Sequence, residues 1–370
     1  MKITILGEYI TKFGELWDKS LRDLLNEAIV GALRNSRTNR EEIEAVFVGN
    51  MGSGVIENQL HLGALASSMF PHYPVGVTIE GACASGGVAM VAAEQGLLSG
   101  AYKTVMVVGV EKMTDISGRE ITEFLSGAAD MERERDCTFP ALNALLMRAH
   151  MEKYGTEREM LSAVSCKNHL HAMSNEEAQF HKKISVAEVN NSELVADPIR
   201  LLDCSPVSDG AAAVVMTTRK RKGPKILGYG QGGDSLTLAD RGSLFELEAT
   251  ETAARKCYKM AGLAPNDVQV AEVHDAFTIH EIMAIEDLGF FGMGEGGGAT
   301  LSGMTTYGGK IVINPSGGLK ACGHPVGATG VRQIAYLSRV IRSNKFKIGL
   351  SQNIGGSGAT VVVHIIGGDK

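Results

Sequence analysis

Three stretches in the second half of this chain repeat three of the first, in the same order. SDGAAAVVM at 208–216 returns as GSGATVVVH at 356–364, 148 residues on. The helix-then-strand pattern of 28–48 returns at 253–273, 225 residues on. Cys83-Ala-Ser-Gly-Gly leads through a small-residue helix at 86–98 to the strand TVMVVGV at 104–110. Its counterpart is His324-Pro-Val-Gly-Ala-Thr-Gly, with a helix at 331–341 and the strand FKIGL at 346–350. A sequence that repeats supersecondary units this way folds as a duplication. Loops at equivalent strand ends then converge, and residues at matched positions meet across a pseudo-dyad.

The repeated unit is α/β. Residues 21–33 carry a helical apolar period, and 43–48, 75–79, 104–110 and 211–217 are apolar runs of strand length. Apolar runs without alternation suit strands buried on both faces by helices. The charged stretch 117–203 breaks the rhythm. It reads as helical, with capping-box starts at Thr156 (Glu159), Ser174 (Glu177) and Ser185 (Glu188). An insertion of that length in an α/β unit often covers a ligand site. The basic run 219–222 before Gly223-Pro224 reads as a solvated connector. At 370 residues the chain exceeds one simple core. The expected division is 1–116 completed by 204–218, a helical segment 117–203, and 219–370.

Composition removes several function classes. A net charge of -6 argues against nucleic-acid binding, which needs a clustered basic surface. No apolar run approaches the ~20 residues that cross a bilayer. The start MKITILGEYI has no signal-type apolar region, which places the chain in the cytoplasm. The six cysteines (83, 137, 166, 204, 257, 322) contain no Cys-x-x-Cys pair, against a zinc ribbon or disulfide framework.

Four loops can carry chemistry. Cys83 follows the strand at 75–79 and opens a helix, where free N–H groups and the positive dipole end lower a thiol pKa. A buried structural cysteine is the competing reading. His274 ends the strand at 268–273, placed to donate to an oxyanion or orient a water. His274, Asp275, His280 and Glu281 lack the spacing of a His-Glu-x-x-His zinc site. His324 stands at the position matched to Cys83, with Pro325 suited to a first helical turn. An imidazole there can take the thiol proton. The glycines of Asn353-Ile-Gly-Gly-Ser-Gly358 let backbone N–H groups face a thioester oxygen.

The strings GACASGG, HDAF, NPSGGLKACGHPVGATG, NIGGSGAT and LLDCSPVSDGAAAVV resemble the thiolase superfamily over the whole length, and most of all its archaeal-type and sterol-carrier-like members. The resemblance implies a five-layer αβαβα fold of two mixed sheets, with a helical loop domain over the active site. It implies acetoacetyl-CoA thiolase chemistry, joining two acetyl-CoA by Claisen condensation through an acyl-cysteine. Coenzyme A thioesters would be the substrates, with no tightly bound cofactor and no metal. By motif, Cys83 would be the nucleophile, and His324 its base and one arm of an oxyanion hole. His274 would hold a water or the thioester oxygen, and Gly355 would form a second hole with the Cys83 N–H. Ser205 would contact the pantetheine arm, and Asn353 is a further substrate-binding candidate.

The sequence departs from the family at the second catalytic cysteine. Two-cysteine members carry it where Asn353 stands here, and sterol-carrier-like members where Ala276 stands. Cys322 is the one nearby candidate for proton transfer. His274 is the stronger acid/base on the expectation of a pKa near neutrality. The remaining cysteines read as core or surface residues, and His169, His171 and His181 as surface residues. Arg148 and Lys153 are candidates for the adenine 3′-phosphate. The resemblance also implies dimers or tetramers. A further implied partner is hydroxymethylglutaryl-CoA synthase, bound through a zinc-ribbon/OB-fold protein on the route to mevalonate. Two other readings stay open: a thiolase for longer or aromatic 3-ketoacyl-CoA, and a non-catalytic acyl-CoA-binding scaffold.

Overall fold

The computed structural model describes residues 2–368. Its strands, in chain order, are β1 (Ile3–Ile10), β2 (Ala45–Gly49), β3 (Val75–Ile79), β4 (Thr104–Glu111), the short pair β5 (Leu194–Ala196) and β6 (Ile199–Arg200), β7 (Gly210–Thr217), β8 (Lys225–Gly233), β9 (Val270–Glu272), β10 (Val312–Ile313), β11 (Ile348–Gly355) and β12 (Thr360–Gly367). The large sheet runs β10-β9-β11-β12-β8-β1-β7-β4-β2-β3. Read outward from its middle, each half has the same order. β1, β7, β4, β2, β3 on one side match β8, β12, β11, β9, β10 on the other. The duplication seen in the sequence is therefore a duplication of topology. The two expected sheets are joined into one by a short antiparallel contact, Ile3 with Ile226 and Thr4 with Lys225.

Alternation along the strands sorts the core into layers. On β2, Ala45 and Phe47 point into the central cluster, and Val46 and Val48 into the outer one. Val105 and Val107 of β4 likewise face the centre, and Met106, Val108 and Val110 face outward. The outer face of the first half is covered by the helix Leu21–Ser36, and β8 and β12 of the second by Glu248–Ala261. Between the halves lie Ser85–Leu98 and Thr329–Arg342, packed on each other and on strands of both halves. Helix, sheet, helix pair, sheet and helix make the five layers.

The central pair meets at backbone distance. A Cβ built on Gly86 would lie 2.7 Å from the Gly327 carbonyl, and one on Gly330 would lie 2.3 Å from both the Gly87 nitrogen and Asn353 Oδ1. Only hydrogen fits at these positions.

Several local expectations change. The strand expected at 43–48 runs Ala45–Gly49, because Ile43 closes a 3₁₀ turn. The Ser185–Glu188 capping box is present. Thr156 caps nothing. The helix starts at Arg158, and the Thr156 hydroxyl instead meets buried His150 Nδ1 at 2.8 Å. Ser174 closes a helix rather than opening one, donating to the His171 carbonyl at 3.1 Å. His181 is exposed as expected, but His169 and His171 are buried, because their helix Arg158–Ala172 packs beneath the second half. His171 Nδ1 is 3.0 Å from the Asn314 carbonyl. Pro325 lies in a turn four residues before its helix. No helix among the described residues is long and apolar enough to cross a membrane.

The Gly330→Ala change should push the two central helices apart. Overpacking of this kind costs about 1–3 kcal/mol, read as a lower urea midpoint. An unchanged midpoint would show that the contact tolerates a methyl group.

Candidate active site

Cys83 sits in a 3₁₀ turn, Ala82–Ala84, that runs into Ser85–Leu98. The turn forces Ala82 to a φ of 51°, a left-handed conformation that costs an L-residue about 1–2 kcal/mol. Ser85 holds it there: its hydroxyl donates to the Ala82 carbonyl at 2.6 Å and accepts the Gly81 N–H at 3.0 Å. The result is a cysteine only 2% exposed, with its own N–H and that of Gly356 directed toward the sulfur. Gly355 comes so close that a Cβ on it would meet the Gly81 carbonyl at 2.5 Å. It is the adjacent Gly356, at φ 59°, whose N–H favours the thiolate.

His324 comes from the matched loop of the other half. Its N–H donates to Ser208 Oγ at 3.0 Å. Its Nδ1 meets Thr329 Oγ1 at 2.7 Å, and that hydroxyl has the Pro325 carbonyl to donate to at 3.2 Å. With the hydroxyl proton assigned to that carbonyl, the hydroxyl accepts from the ring and the ring proton is assigned to Nδ1. Nε2 is left with a bare lone pair and no partner among the described residues. His274 packs edge-on against His324, ring centroids 5.0 Å apart at 87°. One donor atom each from Cys83, His274 and His324 lies within 4.8 Å of the others. The sequence-matched sulfur and imidazole are thus brought together.

Burial decides the charges. It pushes the Cys83 thiol up to about 12, with Glu111 and Glu80 adding to the rise and the Gly356 N–H opposing it. This reverses the expectation from the helix start, because desolvating a thiolate outweighs a few N–H dipoles. Burial brings His324 down to about 3, helped by the Arg332 guanidinium and His280. His274 falls well below its ordinary value for the same reason, with His324, His280 and Arg332 also lowering it. The expected near-neutral pKa of His274 is therefore overturned. At rest the site holds a neutral thiol and two neutral imidazoles.

Cys83 and His324 line a cavity of about 110 Å³ with Ser205, Cys204, Thr122, Leu125, Phe139, Pro140, Ala276 and Phe277. Ser205 lines this cavity beside Cys83. Cys204, read from the sequence as core or surface, lines the same cavity; adjacency to Ser205 was the available signal. Cys322 is not brought there. It is fully buried, and its sulfur accepts from Asn175 Nδ2 at 3.5 Å. Arg148 is engaged by Asp197, and Lys153 lies 5.1 Å from the Phe245 ring centre. Sequence reasoning missed Glu111. Its buried carboxylate accepts the N–H groups of Met51, Gly52 and Gly327 at 2.9–3.0 Å and Asn50 Nδ2 at 2.7 Å, tying the two halves together. Asn353 is also buried, between Gly87, Cys83 and His274. The cysteine and the two histidines could offer one donor atom each to a soft metal, and Asn353 Nδ2 faces His274 Nδ1 at 3.2 Å.

Two protein-family models match the sequence: the thiolase N-terminal domain over residues 3–220 and a thiolase C-terminal domain-like family over 230–368. The chain is 44% identical, over 98% of both sequences, to an acetyl-CoA acetyltransferase of Methanothermobacter thermautotrophicus. It is 39% identical, again over 98% of both, to one of Methanocaldococcus jannaschii. Among solved structures, the Ltp2–ChsH2(DUF35) aldolase superposes with a TM-score of 0.83 at 19% identity, covering all of this chain and 98% of that one.

A base with its pKa near 3 stays unprotonated far below the ordinary histidine value of about 6.5. Acylation at limiting acetyl-CoA should therefore show no acid limb from His324 down to about pH 5.5. Burial raises the Glu111 carboxyl to about 7, so the profile is read in Glu111→Gln, where an acid limb centred near the ordinary histidine value of about 6.5 would mean that the His324 ring is solvated.

Proposed function

This chain belongs to the thiolase family, and we propose that it is an acetyl-CoA C-acetyltransferase in which Cys83 carries the acyl group. The carrying observation is the clustering of the Cys83 sulfur with His324 and His274 beside a cavity of about 110 Å³. The cavity beside the thiol is small, and a short acyl group is the one proposed to fill it. Identity of 44% to an acetyl-CoA acetyltransferase supports the same substrate. A scaffold that only bound acyl-CoA would have no use for a bare Nε2 beside a thiol.

One base suffices to balance the protons. As the Cys83 sulfur attacks the thioester carbonyl, its proton passes to His324 Nε2. The bond from the acyl carbon to coenzyme A breaks, and His324 returns the proton to the departing sulfur. His324, neutral again, takes an α-proton from a second acetyl thioester. The enolate carbon attacks acetyl-Cys83, the carbon–sulfur bond to Cys83 breaks, and the proton goes back to that sulfur. N–H groups of Cys83 and Gly356, and the His274 ring, donate to the oxygens that become charged. Gly355 allows their loop to approach. Ser205 is assigned to the pantetheine arm, and Cys322 drops out of the cycle.

We assign residues 1–116 with 204–218, and 219–370, to the two thiolase halves, and 117–203 to a cover over the site. Self-association is proposed through the open edge of β3, where Tyr73 and Val75 are 72% and 50% exposed. Condensation of two acetyl thioesters is uphill, so a consumer of the product is needed. We place a hydroxymethylglutaryl-CoA synthase there, bridged by a small second protein, in a cytoplasmic route toward mevalonate. That an aldolase of the same fold is known with ChsH2(DUF35) supports a bound second protein.

Mass spectrometry after mixing with acetyl-CoA should find one acetyl group on the peptide bearing Cys83, and none in Cys83→Ala. His274→Ala and His324→Ala should each slow turnover at least ~10²-fold, the usual cost of an oxyanion donor or general base. Near-normal rates in both would sink the site. Thiolysis should fall steeply beyond four-carbon 3-ketoacyl-CoA. A preference for longer or aromatic chains would replace the acetyl reading with the degradative one.

A further inference from the structure

We propose that Asn353 sets the ring tautomer of His274, and so makes one imidazole of the site a hydrogen-bond donor while the other remains the base. The inference rests on the acyl-transfer reading above and names a residue that acts through His274. Asn353 lies near the end of β11 and is 2% exposed. Its Oδ1 accepts the Gly87 N–H at 3.1 Å, and its Nδ2 donates to the Cys83 carbonyl at 3.0 Å. One of these partners can only donate and the other can only accept, so the amide cannot be turned over. The Nδ2 group also faces His274 Nδ1 at 3.2 Å. Since Nδ2 has only protons to offer, His274 Nδ1 must accept. The ring proton then sits on Nε2.

The fold around this amide leaves it no freedom. Cβ atoms on Gly87 and Gly330 would stand 2.8 and 2.3 Å from Asn353 Oδ1. His324 has the opposite arrangement, with its proton on Nδ1 toward Thr329 and Nε2 bare. Two histidines in edge-on contact therefore have opposite tautomers, each fixed by a neighbour that is itself fixed. An imidazole with Nε2–H can stabilise an oxyanion or enolate oxygen and cannot take a proton there. This explains how the site works with an amide where a second thiol would otherwise serve. It also explains why one base must serve both half-reactions.

The Asn353→Asp variant reverses the bond. A carboxylate would accept from His274 Nδ1–H and strip Nε2 of its proton. The titratable and charged groups around His274 are His324, His280 and Arg332, and those near Cys83 are Glu111 and Glu80. Adding one proton to the pair formed by the new carboxylate and His274, on either member, restores an Nε2–H donor. At pH 8 the variant should lose at least ~10²-fold in kcat with KM for acetyl-CoA within about threefold. Divided by the kcat of the unaltered enzyme at the same pH, which removes the titration of the buried Glu111 and Asp275 carboxyls, both raised by burial, its kcat should rise at least about tenfold between pH 8 and 5.5. A variant that is folded by circular dichroism but equally inactive at both pH values would reduce Asn353 to a packing role. Neutron diffraction on the unaltered protein tests the same point without a substitution. Deuterium on His274 Nε2 and His324 Nδ1 supports the assignment, and deuterium on His274 Nδ1 overturns it. Acetylation of Cys83, followed in the same preparations, separates the two ideas. Its absence would remove the enzymatic reading, whereas the deuterium positions judge the tautomer alone.

Discussion

Backbone contact between the two central helices is the constraint on which the rest depends. Gly86 and Gly87 on one side and Gly327 and Gly330 on the other let Ser85–Leu98 and Thr329–Arg342 approach with no side chain between them. Each helix is preceded by the loop that carries its half's reactive residue. The close approach therefore fixes the separation of sulfur and imidazole. A methyl group at the crossing would add more than packing strain, since sub-ångström errors in a preorganised site lower the rate. The Asn353 amide sits in the same crossing, against Gly87 and Gly330, so the helix contact and the hydrogen-bond polarity of the site share one set of atoms.

Burial keeps the site uncharged until substrate arrives. A thiol raised to about 12 beside an imidazole lowered to about 3 is a poor ion pair. The proton moves only when attack on a thioester gives the transferred charge somewhere to go. The donors waiting there are backbone N–H groups and one imidazole N–H, already aimed and already desolvated, so no reorganisation is needed at the moment of reaction. A resting thiolate would be more nucleophilic, but it would also have to be desolvated by each incoming substrate.

The duplication and the pairing of Cys83 with His324 were legible in the sequence because they are carried by repeated strings of consecutive residues, whereas the layer order came only with the family resemblance. Periodicity placed most of the buried strands, but the apolar run of β3 is an edge strand with Val75 half exposed, and the strand expected at 268–273 spans only Val270–Glu272. Features carried by a single distant partner were not legible. Thr156 looked like a helix cap because a capping box is a local pattern, whereas its hydroxyl is claimed by buried His150. His169 and His171 looked solvated because their neighbours in sequence are charged, yet the helix buries that face. The thiol pKa was misjudged because a helix start is visible in sequence and the desolvation around it is not. Glu111 and Asn353 act across more than two hundred residues of chain, and nothing in their immediate sequence announces a partner.

Duplication also explains why there is one site and not two. In each half, the ends of the second and fourth strands carry polar groups that grip a loop of the other half. In the first half these are Asn50 after β2 and Glu111 at the end of β4. Asn50 Nδ2 meets Glu111 at 2.7 Å, and the carboxylate takes the Gly327 N–H at 3.0 Å, holding the loop of His324. In the second half they are His274, just beyond β9, and Asn353 on β11. The Asn353 amide meets the His274 ring at 3.2 Å and holds the Cys83 carbonyl at 3.0 Å. The two grips are the same device with different side chains. The Glu111 carboxyl, with both oxygens taken by N–H groups, is held as an anchor. An imidazole held by an amide has a second nitrogen to spare, and that nitrogen bears a proton. On the proposed mechanism, the half that supplies the base is held by the carboxyl grip, and the half that supplies the nucleophile by the one that can donate to an oxyanion.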